Sequence, residues 1–214
     1  MRRIARVLER WRLSTIAYMA VLFNRRPKAI RIYRQLIALA PRDRTLRSAL
    51  GNLHAEAGDL DAAVREFEQL TAIAPSDADA WFNLGFLHDA RDELEPAERC
   101  FRRAVELKPS LDRAWYGLGL VLVRSGRLEE AIEAFKRTVK LQPYSPYGYY
   151  QLGMTYHHLG RSDDAWKVYE SLAEFEPKFS ATLKRDLHNT PRRGVPIERS
   201  RGFDSAMKEV VEFV

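Results

Sequence analysis

Proline recurs along the chain at a fixed step of 34 residues, at Pro41, Pro75, Pro109, Pro143 and Pro177. A constant period of this size marks a fold made by stacking one small unit, whose apolar face is buried only by its neighbours. A chain of 214 residues could otherwise hold one or two ordinary domains. The period points instead to one quasi-linear array whose core grows by addition.

Other residues keep the same step. With each proline counted as position 32, positions 4, 7, 8 and 11 read Arg47, Leu50, Gly51 and His54 in the second unit. They read Trp81, Leu84, Gly85 and His88 in the third, and Trp115, Leu118, Gly119 and Leu122 in the fourth. The fifth gives Tyr149, Leu152, Gly153 and Tyr156, and the first is degraded to Leu13, Ile16, Ala17 and Ala20. Position 20 is Ala29, Ala63, Ala97, Ala131 and Ala165; position 24 is Tyr33, Phe67, Phe101, Phe135 and Tyr169.

Positions 4, 7, 8 and 11 form one stripe of a helix, and 20, 24 and 27 form the stripe of a second. Small residues at 8 and 20 allow the two helices to approach closely. The aromatic at 24 is expected to fill the space between a unit and its neighbour. Position 15 holds Asn24, Gly58, Asp92, Gly126 and Gly160, the residue types that best tolerate the positive φ of a tight helix–helix turn. Proline at 32 then ends the second helix, since it cannot continue one and disfavours helix in the residue before it.

The combined pattern, W-x2-L-G-x2-Y, then A-x3-F, then P, resembles the tetratricopeptide repeat (TPR) family over about residues 10–177. The resemblance implies an all-α, right-handed α-solenoid of about five helix-turn-helix repeats with a C-terminal capping helix. The repeats are read as 10–43, 44–77, 78–111, 112–145 and 146–177, after a basic start to the first helix at 1–9. Residues 178–189 read as the capping helix, with Phe179, Leu183 and Leu187 on one face. Residues 190–202, rich in Pro, Gly and Arg, read as a linker. Residues 203–214 read as a short amphipathic helix with Phe203, Met207, Val210 and Val211 on one face. That segment docks either on its own array or on another chain.

The formal charge of +6 is uneven, because residues 1–34 carry ten Arg or Lys against the single acid Glu9. The bland reading is a solvated face on a terminal repeat; the sharper one is contact with an acidic partner or anionic lipid. The apolar run 13–23 behind this basic start has the outline of a signal peptide. It coincides with the first repeat helix, lacks a small-x-small cleavage site, and is shorter than the about 20 residues that span a bilayer. The reading is a cytoplasmic chain, peripheral at a membrane at most. Cys100 is the single cysteine, so no intrachain disulfide forms.

No catalytic constellation emerges, and no cofactor or metal is implied. His54 and His88 fall in a packed repeat slot. The adjacent His157 and His158 diverge by about 100° on a helix and make a poor metal pair. Glu129–Glu130 and Asp163–Asp164 begin second helices, where carboxylates favour the dipole.

In TPR proteins the first helices line a concave groove, and the resemblance carries that role onto Asn52, Phe82, Asn83, Phe86, Arg113, Tyr116, Leu120, Tyr147, Tyr150, Gln151 and Met154. Thr45, Ser48, Glu56, Asp79, Asp89, Arg124, His157 and His158 complete it. The aromatics stand outside the repeat's packing slots and are expected to form an exposed patch. The residues that hold a chaperone C-terminal carboxylate in some TPR modules are matched at Asn52, Asn83 and Arg113. They are missing at Ser48 and Gly117, so a carboxylate would be held weakly. The leading functional reading is a non-catalytic scaffold that binds a peptide segment of another protein and supports complex assembly, with self-association open. The alternatives are an RNA-binding helical repeat, disfavoured by Asp79, Asp89 and Glu56 in the groove, and a membrane-surface assembly factor using Arg2, Arg3, Arg6, Arg10 and Arg12.

Overall fold

The computed structural model describes residues 2–190, with side chains from Val7 onward. The linker and the short amphipathic helix expected beyond residue 190 lie outside the described residues, as do the side chains of Arg2, Arg3 and Arg6. Among the described residues all regular structure is helical.

The chain divides into two compact units, Met1–Leu107 and Lys108–Val214. The first unit holds three helix pairs: α1 (Arg2–Leu22) with α2 (Arg26–Leu39), α3 (Arg44–Glu56) with α4 (Leu60–Ile73), and α5 (Ala78–Ala90) with α6 (Leu94–Leu107). The second holds α7 (Asp112–Arg124) with α8 (Leu128–Leu141), α9 (Pro146–His158) with α10 (Ser162–Phe175), and α11 (Pro177–Asn189).

The turn within each pair forms as the residue types demand. Asn24, Gly58, Asp92, Gly126 and Gly160 have φ of 51°, 79°, 64°, 75° and 82°. Each second helix ends two residues before its repeat proline, at Leu39, Ile73, Leu107, Leu141 and Phe175. Pro177 then opens α11, where its missing N–H removes no helical bond. Aspartates start several helices by accepting a backbone N–H: Asp43 from Leu46 at 3.2 Å, Asp59 from Ala62 and Asp77 from Ala80 at 3.1 Å.

The core of a repeat is an aromatic ring lying on a glycine. A Cβ added at Gly119 would stand 2.5 Å from Phe135 Cε1, and one at Gly51 would stand 2.6 Å from Phe67 Cε2. At Gly85 the nearest Phe101 atoms would be 3.0 Å away. Phe67, Phe101 and Phe135 are buried. The ring at position 24 therefore fills space within its own repeat, against position 8, and not only space toward the neighbour. Phe67 does both, since it also clusters with Ala80, Leu84 and Leu87 of α5. In the first and last repeats the slot holds Tyr33 and Tyr169, each half-buried. A half-buried tyrosine keeps its hydroxyl within reach of water. Over Gly153 the covering atom is instead Leu183 Cδ2 of α11, 3.0 Å from a built Cβ.

Position 4 does more than pack. Trp81 Nε1 donates to the Pro75 carbonyl at 3.0 Å, Trp115 Nε1 to Pro109 at 2.9 Å, and the Tyr149 hydroxyl to Pro143 at 3.2 Å. Arg47 Nη2 donates to Pro41 at 3.1 Å. The buried Arg47 guanidinium also meets Glu66 at 2.8 Å and Gln69. Trp, Tyr and Arg are therefore equivalent at this position because each carries a donor that reaches six residues back.

Two substitutions separate these contributions. Gly119→Ala gains up to about 1 kcal/mol of helix propensity but overpacks the Phe135 ring at a cost of about 1–3 kcal/mol. The expected net result is a lower Tm, by about 2–4 °C per kcal/mol lost, measured by circular dichroism; an unchanged or raised Tm would show that the ring gives way freely. Trp115→Phe keeps most of the apolar area and loses the donor, so it should cost about 0.5–1.5 kcal/mol in urea unfolding.

Candidate functional site

In the first unit the first-helix face is polar. Thr45 and Glu56 are exposed, while Ser48, Asn52, Asp79, Asn83 and Phe86 are half-buried. Asn52 on α3 and Asn83 on α5 make no side-chain hydrogen bond among the described residues. Phe82 departs from the sequence expectation. Its side chain is 2% exposed and packs on Phe101 of α6, with ring centroids 5.9 Å apart. It is core, not part of an exposed patch. Asp89 is likewise buried.

In the second unit the expected groove is largely filled by the protein itself. Tyr116, Gln151, Met154 and His157 are buried. The Tyr116 ring packs on Phe135 at 5.9 Å, and burial pushes its hydroxyl up to about 12, with Gln151 beside it pulling the other way. That hydroxyl has no hydrogen bond of good geometry to the described residues. On α9, Tyr147 stacks edge-on against Phe179 of α11 at 5.3 Å. The Tyr150 hydroxyl donates to Asp186 Oδ2 at 2.7 Å, and His157 Nε2 donates to the Thr190 carbonyl at 2.8 Å. Burial, followed by that bond and charge at Asp186, raises the Tyr150 hydroxyl well above its ordinary value. Tyr147 and Tyr150 thus have an intramolecular role: they seat α11. Arg113, Leu120, Arg124 and His158 remain half-buried.

Sequence reasoning found α11 but not its polar anchors. Asp186 and Thr190 fall outside the repeating pattern and lie more than 30 residues from their partners. It also missed a surface on α1. Val7, Leu8, Trp11, Tyr18 and Leu22 are exposed on the side of the helix opposite the buried Leu13, Ala17 and Ala20. The available signal was the spacing 8, 11, 18 and 22, a stripe distinct from 13, 16, 17 and 20.

His88 Nδ1 meets Glu93 Oε2 at 2.6 Å, and the buried His54 lies 3.3 Å from Asp59. Burial pushes the Cys100 thiol up to about 11, which keeps it protonated and poorly nucleophilic. Among the described residues no three His, Cys, Asp or Glu side chains could hold a metal ion together, and no helix is long and apolar enough to cross a membrane. Arg127–Glu130 at 2.7 Å and Arg161–Asp164 at 2.6 Å are partly exposed pairs at helix starts, worth little to stability.

His158 is held below its ordinary pKa, first by burial and then by the charge of His157. The folded state therefore prefers the neutral ring. That preference stabilises the fold above the unfolded value of about 6.5 and is lost as pH falls from there through the folded pKa. His158→Gln should show a smaller drop in Tm between pH 7.5 and 5 than the parent chain. Parallel pH profiles for the two proteins would exclude this residue as the source.

Residues 10–177 match the family model described as the Cilia and flagella-associated protein 70 C-terminal domain, a TPR module. Among curated proteins none matches the sequence. Solved structures share the fold. A crystal structure of MamA protein is 25% identical, with a TM-score of 0.74 over 80% of this chain and 94% of that one. MamA from Desulfovibrio magneticus is 21% identical, with a TM-score of 0.72 over 79% and 96%. YrrB, described as a TPR protein with an unusual peptide-binding site, is 21% identical, with a TM-score of 0.69 over 79% and 88%. The 34-residue period, the five positive-φ turns, the glycine–aromatic core and this match over 10–177 place the chain in the tetratricopeptide repeat family, within the group that C-terminal domain defines.

Proposed function

We propose that the chain is a non-catalytic scaffold that holds a peptide segment of a partner protein against the first-helix face of its first unit. Two amides carry this reading. Asn52 and Asn83 project from first helices of successive repeats, are half-buried, and spend no hydrogen bond on the described protein. A side-chain amide offers one acceptor and two donors, which suits the C=O and N–H of an extended backbone. Phe86 beside them on α5 is half-buried and supplies apolar area for one anchoring side chain. The solved relative YrrB is described as binding peptide, which supports the same class of ligand.

The reading moves the weight of the site from the tyrosines of α9 to the asparagines of α3 and α5. The acidic residues Asp79 and Glu56 on the same face favour a segment with basic flanks. Scaffolding in the cytoplasm belongs to this proposal, as does the absence of a catalytic role.

Selection of a displayed random-peptide library on the intact chain tests it. Selected peptides are expected to bind at least about tenfold more weakly to Asn52→Ala/Asn83→Ala, equivalent to about 1.4 kcal/mol, with Tm unchanged. A chain that selects no peptide, or whose peptides ignore both asparagines, would overturn the proposal.

A further inference from the structure

Within each unit, later first helices follow a second helix that packs on them: α2 packs on α3, α4 on α5 and α8 on α9. α1 is the first described helix. A stacked unit contacts only its neighbours, so the outer side of α1 receives nothing from the repeat that follows it. That side is apolar: Trp11 is 70% exposed, Tyr18 65%, Leu8 62% and Leu22 61%.

The spacing of these residues is informative. Leu8, Trp11, Thr15, Tyr18 and Leu22 alternate steps of three and four, the spacing of a helix seam that accepts a second helix. Beside the seam, Ile16, Met19 and Phe23 line a pocket with Arg25 and Lys28 at its edge. The occupant must therefore be helical, apolar on one side, and acidic. Pairing of α1 with α1 of a second copy would bring two sets of ten cations together from residues 1–34, each set with one acid, so an isologous contact is opposed by charge.

One segment of this chain has the required chemistry. Residues 203–214 space Phe203, Met207, Val210 and Val214 by four, three and four. Their charges are Asp204, Glu209 and Glu212 against the single Lys208. As a helix the segment would span about 18 Å, against about 21 Å from Leu8 to Leu22. We infer that the outward face of α1 is the docking site for residues 203–214 of a second copy of this chain. The inference stands apart from the peptide site on α3 and α5, which uses another face.

The contact is heterologous, because each copy donates a tail and receives one. Such a contact closes into a ring or runs on as an open chain. Its charge component weakens with salt over the Debye length of about 8–10 Å.

Sedimentation velocity on the full-length chain tests this directly. The parent protein is expected to gain mass with concentration and to lose it on raising the salt. Trp11→Glu/Leu22→Glu, which alters only exposed side chains, should stay monomeric with an unchanged helical spectrum. Met207→Glu/Val210→Glu should also stay monomeric. Mixed together, the two variants retain one good tail and one good face and should form dimers and nothing larger. A monomeric parent, association that survives either variant, or a mixture that fails to dimerise would each overturn the inference. So would a parent that stays monomeric and instead floats with phosphatidylserine vesicles through Trp11, which would give the face to lipid.

Discussion

The structure depends on a ring lying where a side chain is missing. Phe67 on Gly51, Phe101 on Gly85 and Phe135 on Gly119 set how closely the two helices of a repeat approach. A hydrogen in place of Cβ lets the aromatic face come down onto backbone, and the ring then buries almost all its surface. Close packing of this kind leaves little slack, because protein interiors sit near crystal density. The alanines at position 20 act in the same sense, with Ala63, Ala97 and Ala131 fully buried. Once this spacing is fixed, the turn needs a left-handed residue and the next repeat inherits the same geometry.

The second tie runs between consecutive repeats. A donor at position 4 reaches the carbonyl of the preceding repeat's proline, whether it comes from indole, phenol or guanidinium. The proline stops one helix, and its carbonyl then holds the start of the next. Read as an apolar slot, Arg47 looks like degeneration of a tryptophan. Read as a donor, it keeps the bond and adds an ion pair to Glu66. The burial of a charged guanidinium is tolerated here because carboxylate, amide and carbonyl oxygens surround it.

Fold and site were legible to different degrees for a physical reason. A repeat states its packing rules five times, so Gly58, Gly126 and Gly160 make Asn24 and Asp92 readable as the same turn. A binding face has no such redundancy. Helix position alone put Phe82 and Tyr116 on the wall of the concave groove, but their rings reach Phe101 and Phe135 and are drawn into the core. Tyr147 and Tyr150 were placed correctly on α9 and assigned the wrong neighbour, since α11 arrives over them. Asp186 could not be matched to Tyr150 from sequence, because the single acid of α11 lies outside the repeating pattern and carries no periodic signal. Asn52 and Asn83 stay half-buried, because a short amide cannot reach into the core and gains nothing there.

The first and last described helices meet the same problem with different means. A stack leaves an apolar face wherever it stops. In the second unit, α11 answers with Leu183 over Gly153, Leu187 buried, Phe179 against Tyr147, and two polar anchors at Asp186 and Thr190. Its polar bonds matter as much as its apolar ones, because they fix the register of a short helix that burial alone would let slide. In the first unit, α1 turns Leu13, Ala17 and Ala20 inward onto α2 and α3 and leaves Leu8, Trp11, Tyr18 and Leu22 outward. A helix with apolar residues on both faces is under tension in water, since each exposed large side chain forgoes about 1.5–3 kcal/mol of burial. Solvated arginines nearby keep such a helix soluble without covering it. A tryptophan and a tyrosine on the outer face are residue types that concentrate binding energy at contacts.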